Sequence, residues 1–148
     1  MKKLIKILLL LQFILLSNIE YANCQNSKNE FISDDVIKIT ITYEDLDIET
    51  PIRINCENFH SYFNNSFRTK TIQDYKIIKK LSGYINEAII DKNTAFKVDV
   101  RYKMKVLYRD GKIKEICGNE SVIEIDGEVH LINHNFSNYL KILLKQKV

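Results

Sequence analysis

The sequence has little glycine and only one proline. Four of its 148 residues are glycines, whereas loops that hold phosphate groups need several glycines close together so that the backbone can approach the ligand. The sequence contains no such loop, no Gly-x-Ser-x-Gly nucleophile turn and no His-Glu-x-x-His zinc pair. The enzyme classes that depend on these motifs are therefore unsupported, although a site made of paired carboxylates would need no motif.

The chain also lacks the strongly basic character of a nucleic-acid-binding domain. Its formal net charge is +3, and removing residues 1–24 takes away three lysines and Glu20, which lowers the charge to +1. No nucleic-acid-binding motif occurs in the sequence. We therefore expect no nucleic-acid partner.

No apolar run is long enough to cross a membrane. The longest nearly unbroken one, residues 7–16, is interrupted only by Gln12; it follows Lys2, Lys3 and Lys6 and leads into small and polar residues. It is about half of the roughly 20 residues that a membrane-spanning helix needs. This order of basic, apolar and small residues is typical of a secretory signal peptide, so we expect export and no transmembrane span after cleavage.

The small residues Ala22 and Cys24 favour cleavage before Gln25. The sequence then predicts a signal peptide over 1–24, a flexible lead-in over 25–35 and a single globular domain over 36–148. As an alternative, Cys24 could be the lipidated residue of a bacterial lipoprotein, which would hold the protein at the outer envelope.

Alternating apolar and polar residues predict a strand at 37–43 and a longer one at 96–108. Pro51 suits the first residue of a further short strand near 52–56, because the first strand position loses least from a missing N–H donor. Apolar residues at helical spacing predict a main helix from about 72 to 90. Thr71 and Asp74 resemble a capping box at its start.

Two Asp-Gly pairs, at 110–111 and 126–127, predict tight turns between the last strands. These strands would form an antiparallel meander, and Asn133 or Asn135 could cap a C-terminal helix. The sequence thus predicts an α+β fold, with an antiparallel sheet of about five or six strands packed against the main helix and the C-terminal helix.

Cysteine and histidine could form a covalent or a metal site. After cleavage the chain retains Cys56 and Cys117, and in an exported protein such a pair is most simply a disulfide; two buried free thiols are the alternative. His60, His130 and His134 offer zinc ligand types, but His130 falls in a predicted strand and His134 in a loop, which removes their helical spacing. We expect no metal site and no cofactor.

Acidic residues alternate at Asp45, Asp47 and Glu49, as at the start of a calcium loop. A calcium loop would have Gly at position 50 and Glu at position 56, where this chain has Thr and Cys. A solvated acidic loop is therefore expected.

The polar side of the 96–108 strand and of the strand that follows it is rich in basic residues. The candidate binding stripe consists of Lys97, Arg101, Lys103, Lys105, Arg109, Lys112 and Lys114. Such a local positive stripe could bind an acidic protein, glycan or lipid surface. Alternatively, these lysines only keep the sheet soluble and protect its edges from pairing with other chains.

Together these patterns predict a small exported binding or inhibitory module, secreted or periplasmic and without enzymatic activity, whose partner the sequence does not identify. Two alternatives stay open. One is an envelope-associated structural protein or lipoprotein, and the other is a secreted enzyme whose active site carries no motif.

Overall fold

Within the part of the chain that the structure describes, seven antiparallel strands form one sheet. The computed structural model describes residue 32 and residues 35–64, 66–91 and 97–145. The strands are β1 (Val36–Tyr43), β2 (Arg68–Ile72), β3 (Ile89–Ile90), β4 (Tyr102–Tyr108), β5 (Ile113–Gly118), β6 (Val122–Ile125) and β7 (Glu128–Leu131). The helices of the described ranges are α1 (Phe59–Phe63), α2 (Tyr75–Asn86) and α3 (His134–Lys145). The predicted α+β class is confirmed, with seven strands rather than five or six.

The strands are arranged in the order β2-β1-β4-β5-β6-β7-β3. β4, β5, β6 and β7 pair successively, so the predicted meander is confirmed. Asp126 and Gly127 both have positive φ, at 53° and 82°, as a two-residue primed turn requires. The earlier turn is longer than predicted. Tyr108 N–H donates to the Lys112 carbonyl, and three residues lie between them, with Gly111 at φ 86°.

Alternate side chains of the sheet point to opposite faces, and α2 and α3 cover one of them. On this helix-covered face Ile39 pairs with Val106 and Ile41 with Met104, and all four side chains are fully buried. The helices contribute the buried side chains of Ile78, Leu81, Ile85, Phe136, Leu140, Leu143 and Leu144. Burial of these aliphatic and aromatic groups is the main source of stability, at about 25 cal/mol per Å² of apolar surface.

The main helix is shorter than the predicted 72–90. Thr71 lies in β2, and α2 begins after Asp74, whose carboxylate accepts hydrogen bonds from the N–H groups of Lys76 and Ile77 at 2.8 and 3.3 Å. The chain then continues as the two-residue strand β3, beside β7. At both ends of the predicted helix, residues therefore pair as strands with β1 and β7, although their apolar residues have helical spacing.

The C-terminal helix is confirmed, and Asn133 caps it. The Asn133 side-chain oxygen accepts a hydrogen bond from the Phe136 N–H at 2.9 Å. Like α2, this helix has 12 residues, and no helix among the described residues is long and apolar enough to cross a membrane. The predicted signal peptide lies outside those residues.

The segment between β1 and β2, which includes α1, covers part of the second face. Ile54, Phe59 and Phe63 from this segment form a small apolar cluster with side chains from the centre of the chain, namely Val98, Val100 and Cys117. The predicted strand at 52–56 does not form. The Ile54 N–H donates instead to the Asp99 carboxylate at 2.8 Å, and its carbonyl accepts from the Val100 N–H.

The predicted strand at 96–108 is correspondingly shorter. Its described part before Tyr102 makes no regular ladder, because Val98 and Val100 pack against the segment that carries α1. Sheet pairing begins where the Arg101 N–H donates to the Gly118 carbonyl at 2.7 Å.

Candidate binding surface

The second face of the sheet is mainly polar beyond the segment that carries α1. We call this surface the open sheet face and define it by eight side chains from β1, β2, β4 and β5. None of the eight is buried. They are Lys38, Thr40, Thr42, Thr69, Thr71, Lys103, Lys105 and Glu115.

Strand register arranges these residues in two rows across the sheet. In one row, Thr40 lies between Thr71 on β2 and Lys105 on β4. In the other row, Thr42 lies between Thr69 and Lys103. Neighbouring strands are about 4.8 Å apart, so each row places two threonine side chains next to one lysine side chain.

Lys103 and Lys105 share the carboxylate of Glu115. Their Nζ atoms lie 2.9 and 3.6 Å from its two oxygens. The hydrogen bond from Lys103 is the main reason that the pKa of Glu115 is lowered. Lys103 has a side chain that is only 12% exposed, whereas the Lys105 side chain is 53% exposed. Lys105 is therefore the more accessible positive charge of the two.

Arg101, a predicted stripe residue, lies on the same face but under the segment that precedes α1. It is 6% exposed. Its Nε donates to the Ile48 carbonyl, its Nη1 to Asp99 and to the Val100 carbonyl, and its Nη2 to Asp99 and to the Thr50 hydroxyl. These bonds use all five N–H donors of a guanidinium, so Arg101 has none left for a partner.

The other predicted stripe residues lie apart from the two rows. Lys97 is exposed and precedes β4, while Arg109 and Lys112 are exposed around the turn between β4 and β5. Lys112 pairs with Asp110 at 2.9 Å, and their hydrogen bond raises the pKa of Lys112 and lowers that of Asp110.

Lys114 lies on the opposite side of the sheet. It pairs in register with the buried Val106 of the helix-covered face, and its Nζ lies 2.9 Å from Asp126. The structure therefore brings together only Lys103 and Lys105 of the seven predicted stripe residues. A binding role for the stripe stays a prediction.

The two cysteines of the described residues are at disulfide-bonding distance. Cys56 lies just before α1 and Cys117 on β5, with their Cα atoms 5.7 Å apart. A covalent bond here closes a loop with a sequence separation of 61 residues and ties the segment that carries α1 to the sheet.

The histidines are separated in the fold. His60 is in α1, where its ring lies edge-on to Phe67 with centroids 5.1 Å apart. His130 is buried on β7, and His134 is exposed at the start of α3. Within the described ranges, no group of three or more His, Cys, Asp or Glu side chains could hold a metal ion.

The acidic residues after β1 lie near the C-terminal helix. Lys141 of α3 forms ion pairs with Asp47, at 3.2 Å, and with Glu120. Tyr43, Arg68 and neighbouring residues line a small cavity of about 90 Å³ beside this ion-pair group. The acidic loop is thus partly neutralised by the helix.

Comparison of the chain with protein-family models, with curated proteins and with solved structures finds no match. The threonine rows were missed at the sequence level because no strand was predicted over residues 68–72 and Thr71 was interpreted as part of a helix cap. The alternation of threonine in "KITIT" and "RTKT" is the signal that could have revealed them.

Proposed function

We propose that this protein is a small exported binding or inhibitory module that acts without catalysis and binds an acidic partner through its open sheet face. The observation that carries the proposal is the position of Lys105. Its side chain is 53% exposed, although its Nζ lies 3.6 Å from Glu115, and it pairs in register with Thr40 on a surface whose backbone is fixed by strand pairing on both sides. Sites on strands hold their side chains more firmly than sites on loops.

The charge balance of this surface favours an acidic partner. The eight side chains that define this surface include three lysines, Lys38, Lys103 and Lys105, and one carboxylate, that of Glu115. Exposed charges of this kind increase the rate of encounter with an oppositely charged molecule, and their effect decreases with salt. Binding through this surface should therefore be salt-sensitive.

Export is supported by two independent features. The N-terminal residues have the charge and apolar pattern of a signal peptide. Cys56 and Cys117 are at bonding distance, and disulfides persist in oxidising compartments. Both features agree with a periplasmic or extracellular protein.

The first test concerns export. The full chain should be expressed in a bacterial host, recovered from the periplasm or the medium, and weighed as an intact protein. We expect a processed chain that begins near Gln25. Recovery of mainly full-length protein in the membrane would contradict export, and a chain that begins with a lipidated Cys24 would favour the envelope-associated alternative.

The second test concerns binding and uses the processed protein. Partners are captured from envelope extract and culture medium with the original protein, with Lys105→Glu and with Lys76→Glu. Lys76 is an exposed lysine of α2, on the opposite side of the sheet. We expect Lys105→Glu to reduce specific capture several-fold and Lys76→Glu to leave it unchanged. Equal capture by all three folded proteins would contradict the proposed surface.

A further inference from the structure

We infer that the open sheet face binds an acidic polysaccharide, with its threonine hydroxyls contacting sugar hydroxyls and its lysines contacting the acidic groups. This inference rests on the proposed function and names the partner class. It is carried by the two rows across the sheet, because each row combines neutral hydroxyls with a cation in a fixed order.

Threonine matches the hydrogen-bonding capacity of a sugar. A threonine hydroxyl has one donor and two acceptor lone pairs, so it can both donate to and accept from a sugar hydroxyl. Thr40 pairs directly with Thr71, and Thr42 with Thr69. The four side chains therefore form two adjacent pairs on one surface, and none of them is buried.

The lysines supply the part of the site that selects acidic polymers. Lys105 and Lys103 continue the two threonine rows onto β4, and an ammonium group forms charge-assisted hydrogen bonds with carboxylate or sulfate. Glu115 lies beside them and occupies part of this capacity. Because of the lysines, the surface should prefer an acidic polymer to a neutral one. Because of Glu115, its affinity should be moderate rather than very high.

The composition of the surface favours a polysaccharide over a protein. The centre of a protein interface is usually apolar, with aromatic residues enriched. Eight of the ten non-buried side chains that β1, β2, β4 and β5 place in register on this side of the sheet are polar or charged. The neighbouring apolar side chains, Leu107 and the 62% exposed Ile113, pair with each other at the rim.

The same composition disfavours a lipid bilayer as the partner. Peripheral binding to a membrane combines basic residues with apolar side chains that enter the lipid boundary. Across the sheet the side chains beside Lys105 are those of Thr40 and Glu115, and the apolar side chains of this side, Leu107 and Ile113, lie at the rim. A hydroxyl and a carboxylate gain nothing from entering that boundary.

The test measures binding of the processed protein to polygalacturonate, with neutral dextran as the uncharged comparison. Two variants remove the two kinds of contact. Thr40→Val with Thr42→Val removes hydroxyls while keeping branched side chains suited to a strand, and Lys105→Gln removes one charge. We expect binding to polygalacturonate, no measurable binding to dextran, and a reduction of about tenfold for the threonine pair.

Two control variants address general effects of substitution. Ser121→Ala removes an exposed hydroxyl from the turn between β5 and β6, and Lys76→Gln removes an exposed charge from α2. Both should bind polygalacturonate as the original protein does. Lys105→Gln should lower affinity and also weaken its dependence on salt.

Poly-glutamate and vesicles of anionic phospholipid distinguish the other partner classes. Equal or tighter binding to either one, or threonine variants that bind polygalacturonate normally, would overturn the polysaccharide inference. The proposed function would still stand if Lys105→Glu reduced capture from envelope extract. If Lys105→Glu also left capture from envelope extract unchanged, both proposals would be wrong.

Discussion

Arg101 and Asp99 form two parallel hydrogen bonds, with Nη1 2.8 Å from Oδ1 and Nη2 2.7 Å from Oδ2. Asp99 also accepts from the backbone of Ile54, and Arg101 donates to the carbonyl of Ile48. The pair thereby holds the segment between β1 and α1 against the sheet. A residue that sequence reasoning placed in a binding stripe has a structural role in the fold.

Replacing Arg101 with Met should lower the free energy of unfolding by about 1–3 kcal/mol, because it leaves the buried Val100 carbonyl and the partly exposed Asp99 carboxylate without their donor. Chemical denaturation with urea measures the change. Lys112→Met is the matched control, because the Lys112–Asp110 pair is exposed, with the lysine side chain 82% accessible, and such pairs contribute little. Similar losses in both variants would refute the structural role of Arg101.

The bond between Cys56 and Cys117 should be present in the exported protein. Thiol titration of the denatured, unreduced chain that begins near Gln25 should find essentially no free thiol, while two titratable thiols would rule the bond out. Replacing both cysteines with Ala should destabilise the protein by about 4 kcal/mol in the chain-entropy model, since the sequence separation is 61 residues.

Gly118 is expected to tolerate no side chain. A Cβ there would lie 2.7 Å from the Val122 carbonyl oxygen and 2.8 Å from the Tyr102 hydroxyl, so Gly118→Ala should cost about 1–3 kcal/mol. Gly83 in α2 has no atom within 4 Å of the corresponding position, and Gly83→Ala should stabilise by up to about 1 kcal/mol. Thermal unfolding compares the two variants, and a stable Gly118→Ala protein would contradict the packing.

The Tyr102 hydroxyl offers a second test of this region. It is fully buried and has no hydrogen-bond partner among the described residues, and burial raises its pKa far above the ordinary value. Tyr102→Phe should therefore leave stability unchanged or raise it slightly. In the double variant it should also restore part of the stability that Gly118→Ala loses. A loss above about 1 kcal/mol in Tyr102→Phe would indicate a hydrogen bond to that hydroxyl.

Stability should fall in mild acid because His130 is buried. Burial lowers its pKa below the ordinary 6.5, and the nearby Lys114 acts in the same direction, whereas Glu128 and Asp126 oppose the shift. The unfolded chain then binds a proton at a higher pH than the folded chain, so the free energy of unfolding decreases as the pH falls below about 6.5. An NMR titration of the imidazole should give a pKa below 6.5, and a value at or above 6.5 would contradict this.

Local sequence patterns predicted the elements whose partners are close in the chain. The Asp-Gly pairs mark the meander, and Asn133 marks the start of α3. Two strands that depend on distant partners, β2 and β3, were not predicted. Thr71 belongs to a strand because it pairs with Thr40, and nothing within a few residues of Thr71 indicates that pairing.

The candidate surface was likewise predicted only in part from local sequence patterns. Alternation correctly placed Lys103 and Lys105 on one side of a strand. It could not show that Arg101 is covered by a segment some 50 residues earlier in the chain, or that the turn places Lys114 on the helix-covered face. Register and coverage by loops are tertiary properties, so a charge pattern alone does not show which charges share a surface.

Chemical-shift mapping tests directly whether the open sheet face binds an acidic polysaccharide. The processed protein, labelled with ¹⁵N, is titrated with a short oligogalacturonate at low salt, and the backbone amide signals are followed. We expect the largest changes at Thr40, Thr42 and Lys105, with α2 unaffected, and we expect added salt to reverse them. Changes confined to α2 or to the acidic residues 44–49, or no changes at all, would contradict this expectation.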